Sequence, residues 1–129
     1  MAEGFARKYG SDVIEAASAG LAPAPIVQLL TIKVMADKGI QIEDQFPKEL
    51  SSLPLSTYDV MINMSGVRLP GRIQMEVRDW QVPDPIGQPE EVYVRVRDQI
   101  EMLVMQLILE LRREARRAAG DTRGKRTLR

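Results

Sequence analysis

From Pro89 onward, Val92, Val96, Ile100, Leu103, Leu107 and Leu111 trace one apolar stripe at helical spacing, in a pattern that reaches about Ala118. Pro89-Glu90-Glu91 opens it with the proline and acids that suit a first helical turn. A helix of about thirty residues spans ~45 Å, longer than a small domain needs. Whatever else the chain builds must therefore pack along this element. Met102, Met105 and Leu109 widen the apolar surface beyond one face, as core or as a partner contact; a cofactor box is the poorest fit.

The segments before it alternate in type. Residues 1–9 read as a helix with Met1, Phe5 and Ala6 on one face, ended by Gly10-Ser11. Val13-Ile14-Glu15-Ala16-Ala17-Ser18 reads as a short strand closed by Ala19-Gly20. Pro23 and Pro25 lead a helix over about 25–38, and Gly39 is placed for a left-handed cap with Ile40 folding back onto the last turn. A short polar helix is predicted over Lys48 to Ser52. Tyr58 to Met64 is mostly apolar, as expected of a strand buried on both faces, and Asn63 interrupts it near its end. Ile73 to Arg78 alternates and suits a half-exposed edge strand. Strands separated by helices predict an α/β fold, a three-layer sandwich with a small parallel sheet flanked by helices.

Composition removes whole classes of chemistry. The 129 residues suit one domain, and 44% apolar with 28% charged residues is ordinary for a soluble one. There is no cysteine and no histidine. That excludes disulfides, thiol nucleophiles, imidazole bases and cysteine or histidine metal sites within this sequence. No metal or cofactor is expected. No apolar run approaches a membrane span, and the N-terminus lacks the pattern of a secretory signal, so a cytoplasmic location is the expectation. Zero net charge hides an asymmetry: Arg112 to Arg129 holds eight Lys/Arg against two Asp/Glu. The expected division is a domain over 1–119 and a basic, disordered tail over 120–129 without a specific nucleic-acid target. No Walker loop, dinucleotide fingerprint or internal repeat occurs.

The chemically pointed stretch is Trp80-Gln81-Val82-Pro83-Asp84-Pro85-Ile86-Gly87. Asp84 sits between two prolines, after a strand and before the longest helix. One reading is a stiff turn whose aspartate favours turn geometry. The other is a carboxylate beyond a strand's C-terminal end, where open α/β sheets place their sites.

Several segments in order decide between them: Met1-Ala2-Glu3-Gly4-Phe5-Ala6-Arg7, Ser18-Ala19-Gly20, Val34 to Ile40, Tyr58 to Met64, Asp84-Pro85-Ile86-Gly87 and Val96 to Ile100. Together they resemble the low-molecular-weight protein tyrosine phosphatase family, including its thioredoxin-coupled arsenate reductase branch, over about residues 1–111. The resemblance implies a parallel sheet between helices and phosphomonoester hydrolysis through a cysteinyl-phosphate. The substrate would be a phosphorylated protein, a small phosphate ester or arsenate. Asp84, followed by Pro85, matches the family's general acid, which protonates the leaving group. Ser18 matches a serine that supports the phosphate loop.

The departure is equally specific. Met1 aligns just after the family's phosphate loop, so the first, central strand, the nucleophilic cysteine and the phosphate-clamping arginine have no counterpart. Ser65 and Leu69 stand where relay thiols of the reductase branch occur. The expectation is an acid without a nucleophile, hence no phosphatase activity. Either Met1 is an internal methionine of a longer enzyme, or the chain is a non-catalytic binding or oligomerisation remnant; an unrelated α/β domain is the third alternative. Loss of a central strand also predicts association, as a homodimer through exposed sheet edges or the C-terminal helix.

Overall fold

The computed structural model describes residues 1–20, 29–42, 45, 48–50, 53–69 and 75–120. The proline-led start of the second predicted helix, part of the predicted 48–52 helix, Ile73-Gln74 and the tail from 121 lie outside the described residues. The long helix is there: α3 covers Glu90–Gly120, 31 residues and about 46 Å. α1 (Ala2–Tyr9) and α2 (Leu29–Ala36) both pack on it. β1 (Val60–Asn63) and β2 (Glu76–Asp79) pair in parallel, Val60 opposite Glu76 and Asn63 opposite Asp79. Residues 64–75 join them, the dozen or so that a parallel crossover requires.

The core lies where the three helices meet. Phe5, Val34, Met35 and Ile108 are fully enclosed, and Ile42, Val96, Ile100 and Val104 complete the contact. The buried line of α3 runs Tyr93, Val96, Ile100, Val104, Ile108, Leu111. It shares Val96, Ile100 and Leu111 with the predicted stripe and has Tyr93, Val104 and Ile108 in place of Val92, Leu103 and Leu107. Leu103 and Leu107 are only half-buried, because α1 and α2 claim the 104/108 side and Leu107 looks into a cavity described below. Met105 packs against the core as expected, whereas Met102 and Leu109 are exposed.

α2 ends as its sequence predicts. Gly39 takes a φ of +72°, the Ile40 N–H reaches the Met35 carbonyl at 3.0 Å, and the Gly39 N–H reaches that of Ala36 at 2.8 Å. This pair of reversed bonds needs a residue free to adopt the left-handed region. Lys8 of α1 adds a second cap, donating to the carbonyls of Lys38 at 3.0 Å and Gly39 at 3.3 Å.

Two strand expectations need correction. Val13 to Ser18 forms no strand: residues 14–19 run without regular structure and end in a single parallel bridge, Gly20 to Glu49. A strand exists only by pairing, and no ladder lies beside this segment among the described residues. β1 is likewise not buried on both faces. Val60, Met61 and Ile62 are half-buried and only Asn63 is buried, since β2 occupies one edge and the other borders the cavity. Leu50 is in a helical turn within the predicted 48–52 segment, and a further one lies at Leu55–Thr57, after Pro54.

Arg78 ties the exposed edge strand to α3. Its two terminal nitrogens donate to the Glu110 carboxylate at 2.8 and 2.9 Å, and its Nε pairs with Glu76. The Arg78 hydrogen bonds hold the Glu110 carboxyl below its ordinary 4.5, partly opposed by burial. A carboxyl whose folded pKa is depressed stabilises the fold above its unfolded pKa and loses that contribution as pH falls through the folded value. The pair is 28% and 45% exposed, so solvent screening limits it to about 0.5–1 kcal/mol. Glu110→Gln is expected to cost about that much near pH 7 and to unfold at the same urea midpoint as wild type once the pH is well below 4.5. An undiminished difference in acid would show that the effect is packing, not charge.

Candidate active site

Asn63 closes β1 and joins three pieces of chain. Its Nδ2 donates to the Val67 carbonyl at 2.9 Å and to Asp79 Oδ1 at 3.0 Å. Its Oδ1 accepts from the Ser65 N–H at 3.0 Å and the Ser65 hydroxyl at 2.6 Å. Only an amide side chain offers two donors and an acceptor at one tip. The Trp80 N–H then donates to the Asn63 carbonyl at 2.9 Å, so the chain leaves β2 from a fixed point. This is the C-terminal end of two parallel strands, the end where open α/β sheets bind ligands.

The loop from Trp80 carries the predicted acid. Gln99 on α3 anchors it, donating to the Gln81 carbonyl at 3.0 Å, and Pro83 and Pro85 restrict the backbone on either side of Asp84. Asp84 Oδ1 accepts the Ile86 N–H at 3.0 Å, and the Gln88 N–H closes a turn on the Pro85 carbonyl at 2.9 Å with Gly87 at φ +79°. The turn reading of Asp84 is therefore met. One oxygen fixes the turn, and the carboxylate as a whole faces solvent with no cation beside it among the described residues.

Ser18, the other predicted residue, is elsewhere. Its hydroxyl donates to Glu3 Oε1 at 2.7 Å. Glu3 is buried on α1 and also pairs with Arg7 at 3.0 Å and Lys48 at 3.9 Å. The face drawn through Met1, Phe5 and Ala6 leaves Glu3 out, and sequence reasoning missed it as the hub holding the 14–20 segment against α1. The signal was present but weak: a lone acid one turn before Arg7, inside a short apolar helix.

Between these groups lies a cavity of about 450 Å³. Ile14 to Gly20 forms one wall and Val60 to Ser65 the other, with Ala2, Ala6, Val104, Leu107 and Leu111 between them. Ser18 and Asn63 line it; Asp84 does not. Among the described residues no group of acids could hold a metal ion. Among the described residues no helix is long and apolar enough to cross a membrane.

The sequence matches the profile of the family described as Low molecular weight phosphotyrosine protein phosphatase over residues 1–117. The chain belongs to that family. A glutaredoxin arsenate reductase from Synechocystis is 36% identical over 115 residues, covering 86% of this chain and 87% of the relative. A putative arsenate reductase from Halobacterium salinarum is 33% identical, covering 81% and 74%. A solved arsenate reductase in its phosphate-binding state superposes with a TM-score of 0.76 at 34% identity, covering 85% of this chain and 86% of its own. The α/β fold with a small parallel sheet and helices around it is thus the low molecular weight phosphatase fold, as the motif order implied. Within this family the enzymes named act on phosphate esters or on arsenate.

Proposed function

We propose that this chain is a low molecular weight phosphatase-type protein of arsenate reductase ancestry, carrying the acid loop of oxyanion chemistry without the nucleophile. The observation that carries the reading is the pairing of an exposed, proline-held Asp84 at the C-terminal end of the sheet with a sequence of no cysteine. Identity to proteins named arsenate reductases favours that branch over phosphotyrosine hydrolysis. Asp84 is poised to give a proton to a leaving oxygen, and Ser18 holds the segment beside the sheet through Glu3. Neither a hydroxyl nor a carboxylate can replace a thiolate as the electron donor that arsenate reduction requires. No thiol stands at Ser65 or Leu69 to pass a disulfide outward.

A protein of this sequence is therefore expected to leave p-nitrophenyl phosphate unhydrolysed and arsenate unreduced, the latter with glutaredoxin or thioredoxin supplied. Asp84→Ala should change neither background. Turnover of either substrate that Asp84→Ala abolishes would overturn the reading.

A further inference from the structure

α3 outlasts the core it helps to build. Its last buried residue is Leu111, and Arg112 to Gly120 carry the helix on for about 14 Å. Arg112 is engaged inward: its guanidinium donates to Asp12 at 3.0 and 3.1 Å and to the Tyr9 carbonyl at 2.8 Å. The next three basic residues are not. Arg113, Arg116 and Arg117 are exposed and form no ion pair among the described residues. Arg116 reaches only the Arg112 carbonyl, at 3.4 Å. At 3.6 residues per turn the three fall within a sector about 100° wide, one face of the helix. Of the acids beside them, Glu110 already gives both oxygens to Arg78, which leaves Glu114.

The charge and chemistry of this end restrict its partner. Arg123, Lys125, Arg126 and Arg129 follow in the sequence against Asp121 alone, whereas residues 1–111 hold ten Lys/Arg and sixteen Asp/Glu. A polyanion is drawn to this end and repelled by the remainder. Seven of the eight basic residues from Arg112 onward are arginine, whose planar fork matches a phosphate through two hydrogen bonds. Leu128 is the one large apolar residue there, among alanines. A lipid surface holds a helix by burying an apolar face as well as by charge, and this stretch has no such face. A protein partner would need apolar or aromatic anchors at the centre of the contact. No aromatic residue occurs from Arg112 to Arg129, so unpaired bases have nothing to stack on. The phosphates of a paired duplex fit best, and a helix about 10–12 Å across suits a major groove about 12 Å wide.

We propose that the end of α3 and the basic segment after it bind the phosphate backbone of double-stranded nucleic acid without reading bases. Arg113, Arg116 and Arg117 carry the helical part of the contact. Arg112 stays with Asp12 and fixes the direction in which the helix leaves the body. Each phosphate neutralised releases counterions, so affinity falls steeply with salt. Asp84 precedes the opposite end of this 31-residue helix, so the contact is separate from the acid loop.

The test titrates the full chain into a fluorescein-labelled DNA duplex of about twenty base pairs, read by anisotropy over a range of salt. The expected Kd is micromolar at about 50 mM salt, with log K falling against log salt at a slope of about −4 to −6. A duplex of unrelated sequence should bind within about twofold. Replacing Arg113→Gln, Arg116→Gln and Arg117→Gln together should flatten the slope by about 3 and weaken binding at low salt by about a hundredfold or more. The Tm should stay that of wild type, because none of the three is buried. Lysine at the same three positions should keep most of the slope, since it keeps the charge. Three results would overturn the proposal. One is no anisotropy change at about 100 μM protein in low salt. The second is a triple glutamine variant that binds as wild type does, which would put the contact elsewhere. The third is tighter binding to phosphatidylglycerol vesicles at equal charge concentration, which would make the partner a lipid surface.

Discussion

Phe5→Ala is expected to lower the unfolding free energy by about 3–5 kcal/mol, the range for emptying an enclosed aromatic site. Phe5 is 0% exposed and sits in the cluster that includes Met35, Ile40, Ile42 and Ile108. Its ring also stacks on Tyr9, one turn along α1, with centroids 6.0 Å apart and an interplanar angle of 10°. Collapse around the lost ring is restricted. α1 is held at one end by Arg112, which donates to the Tyr9 carbonyl at 2.8 Å, and along its length by Lys8 on the α2 cap. Folded domains have about 5–15 kcal/mol in total. A loss of that size is a large fraction of such a margin. Urea unfolding followed by far-UV circular dichroism gives the value; Phe5→Leu, which keeps part of the volume, should cost distinctly less. A loss under about 1 kcal/mol for Phe5→Ala would mean that α1 is not an integral part of the core.

The parts of this fold that sequence made legible are those governed by local rules. The start of α3 at Pro89-Glu90, the end of α1 at Gly10 and the reversed turn at Gly39 each depend on residues within a few positions, and each is present. Where a partner decides the outcome, sequence was a poorer guide. Val13 to Ser18 has the composition of a strand, but a strand is a pair property, and without a neighbour these residues only run alongside α1. The buried line of α3 departs from the predicted stripe at Tyr93, Val104 and Ile108 for a similar reason. Period alone gives a face about 100° wide, and which edge of it is covered depends on where α1 and α2 land.

The candidate site divides in the same way. Asp84 was legible because two prolines and an acid beyond a strand form a local pattern, and its turn bond to Ile86 is local too. Asn63 showed only as an interruption in an apolar run. Its role as a junction depends on Val67, Ser65 and Asp79 arriving together, which requires the crossover to close. Glu3 was hidden by its surroundings: nothing in a charged residue's neighbours says that Ser18 and Lys48 will fold back onto it.

Arg97 presents the sharpest test of how α2 is held. It is buried on α3, and its Nη1 donates to the Val34 carbonyl at 3.0 Å, a contact buried on both sides. Val34 lies in the last turn of α2, where carbonyls lose their helical partners. The Lys38 N–H, four residues on, bonds to Met35 instead, so Arg97 supplies what the backbone does not. The same guanidinium also reaches Asp98 at 2.8 Å, but Asp98 is 51% exposed and that pair is worth at most about 1 kcal/mol. Arg97→Met keeps most of the aliphatic stem and strands the carbonyl, at an expected cost of about 1.5–3 kcal/mol. Asp98→Asn should cost less than about 0.5 kcal/mol. Arg97→Lys should fall between, since an ammonium can reach one acceptor but cannot reproduce the planar fork. Urea midpoints rank the three variants, and hydrogen exchange locates the damage: amides of α2 should open faster in Arg97→Met than those of α1. Equal losses for Arg97→Met and Asp98→Asn would assign the stabilisation to the surface ion pair and leave the α2 terminus without its proposed anchor.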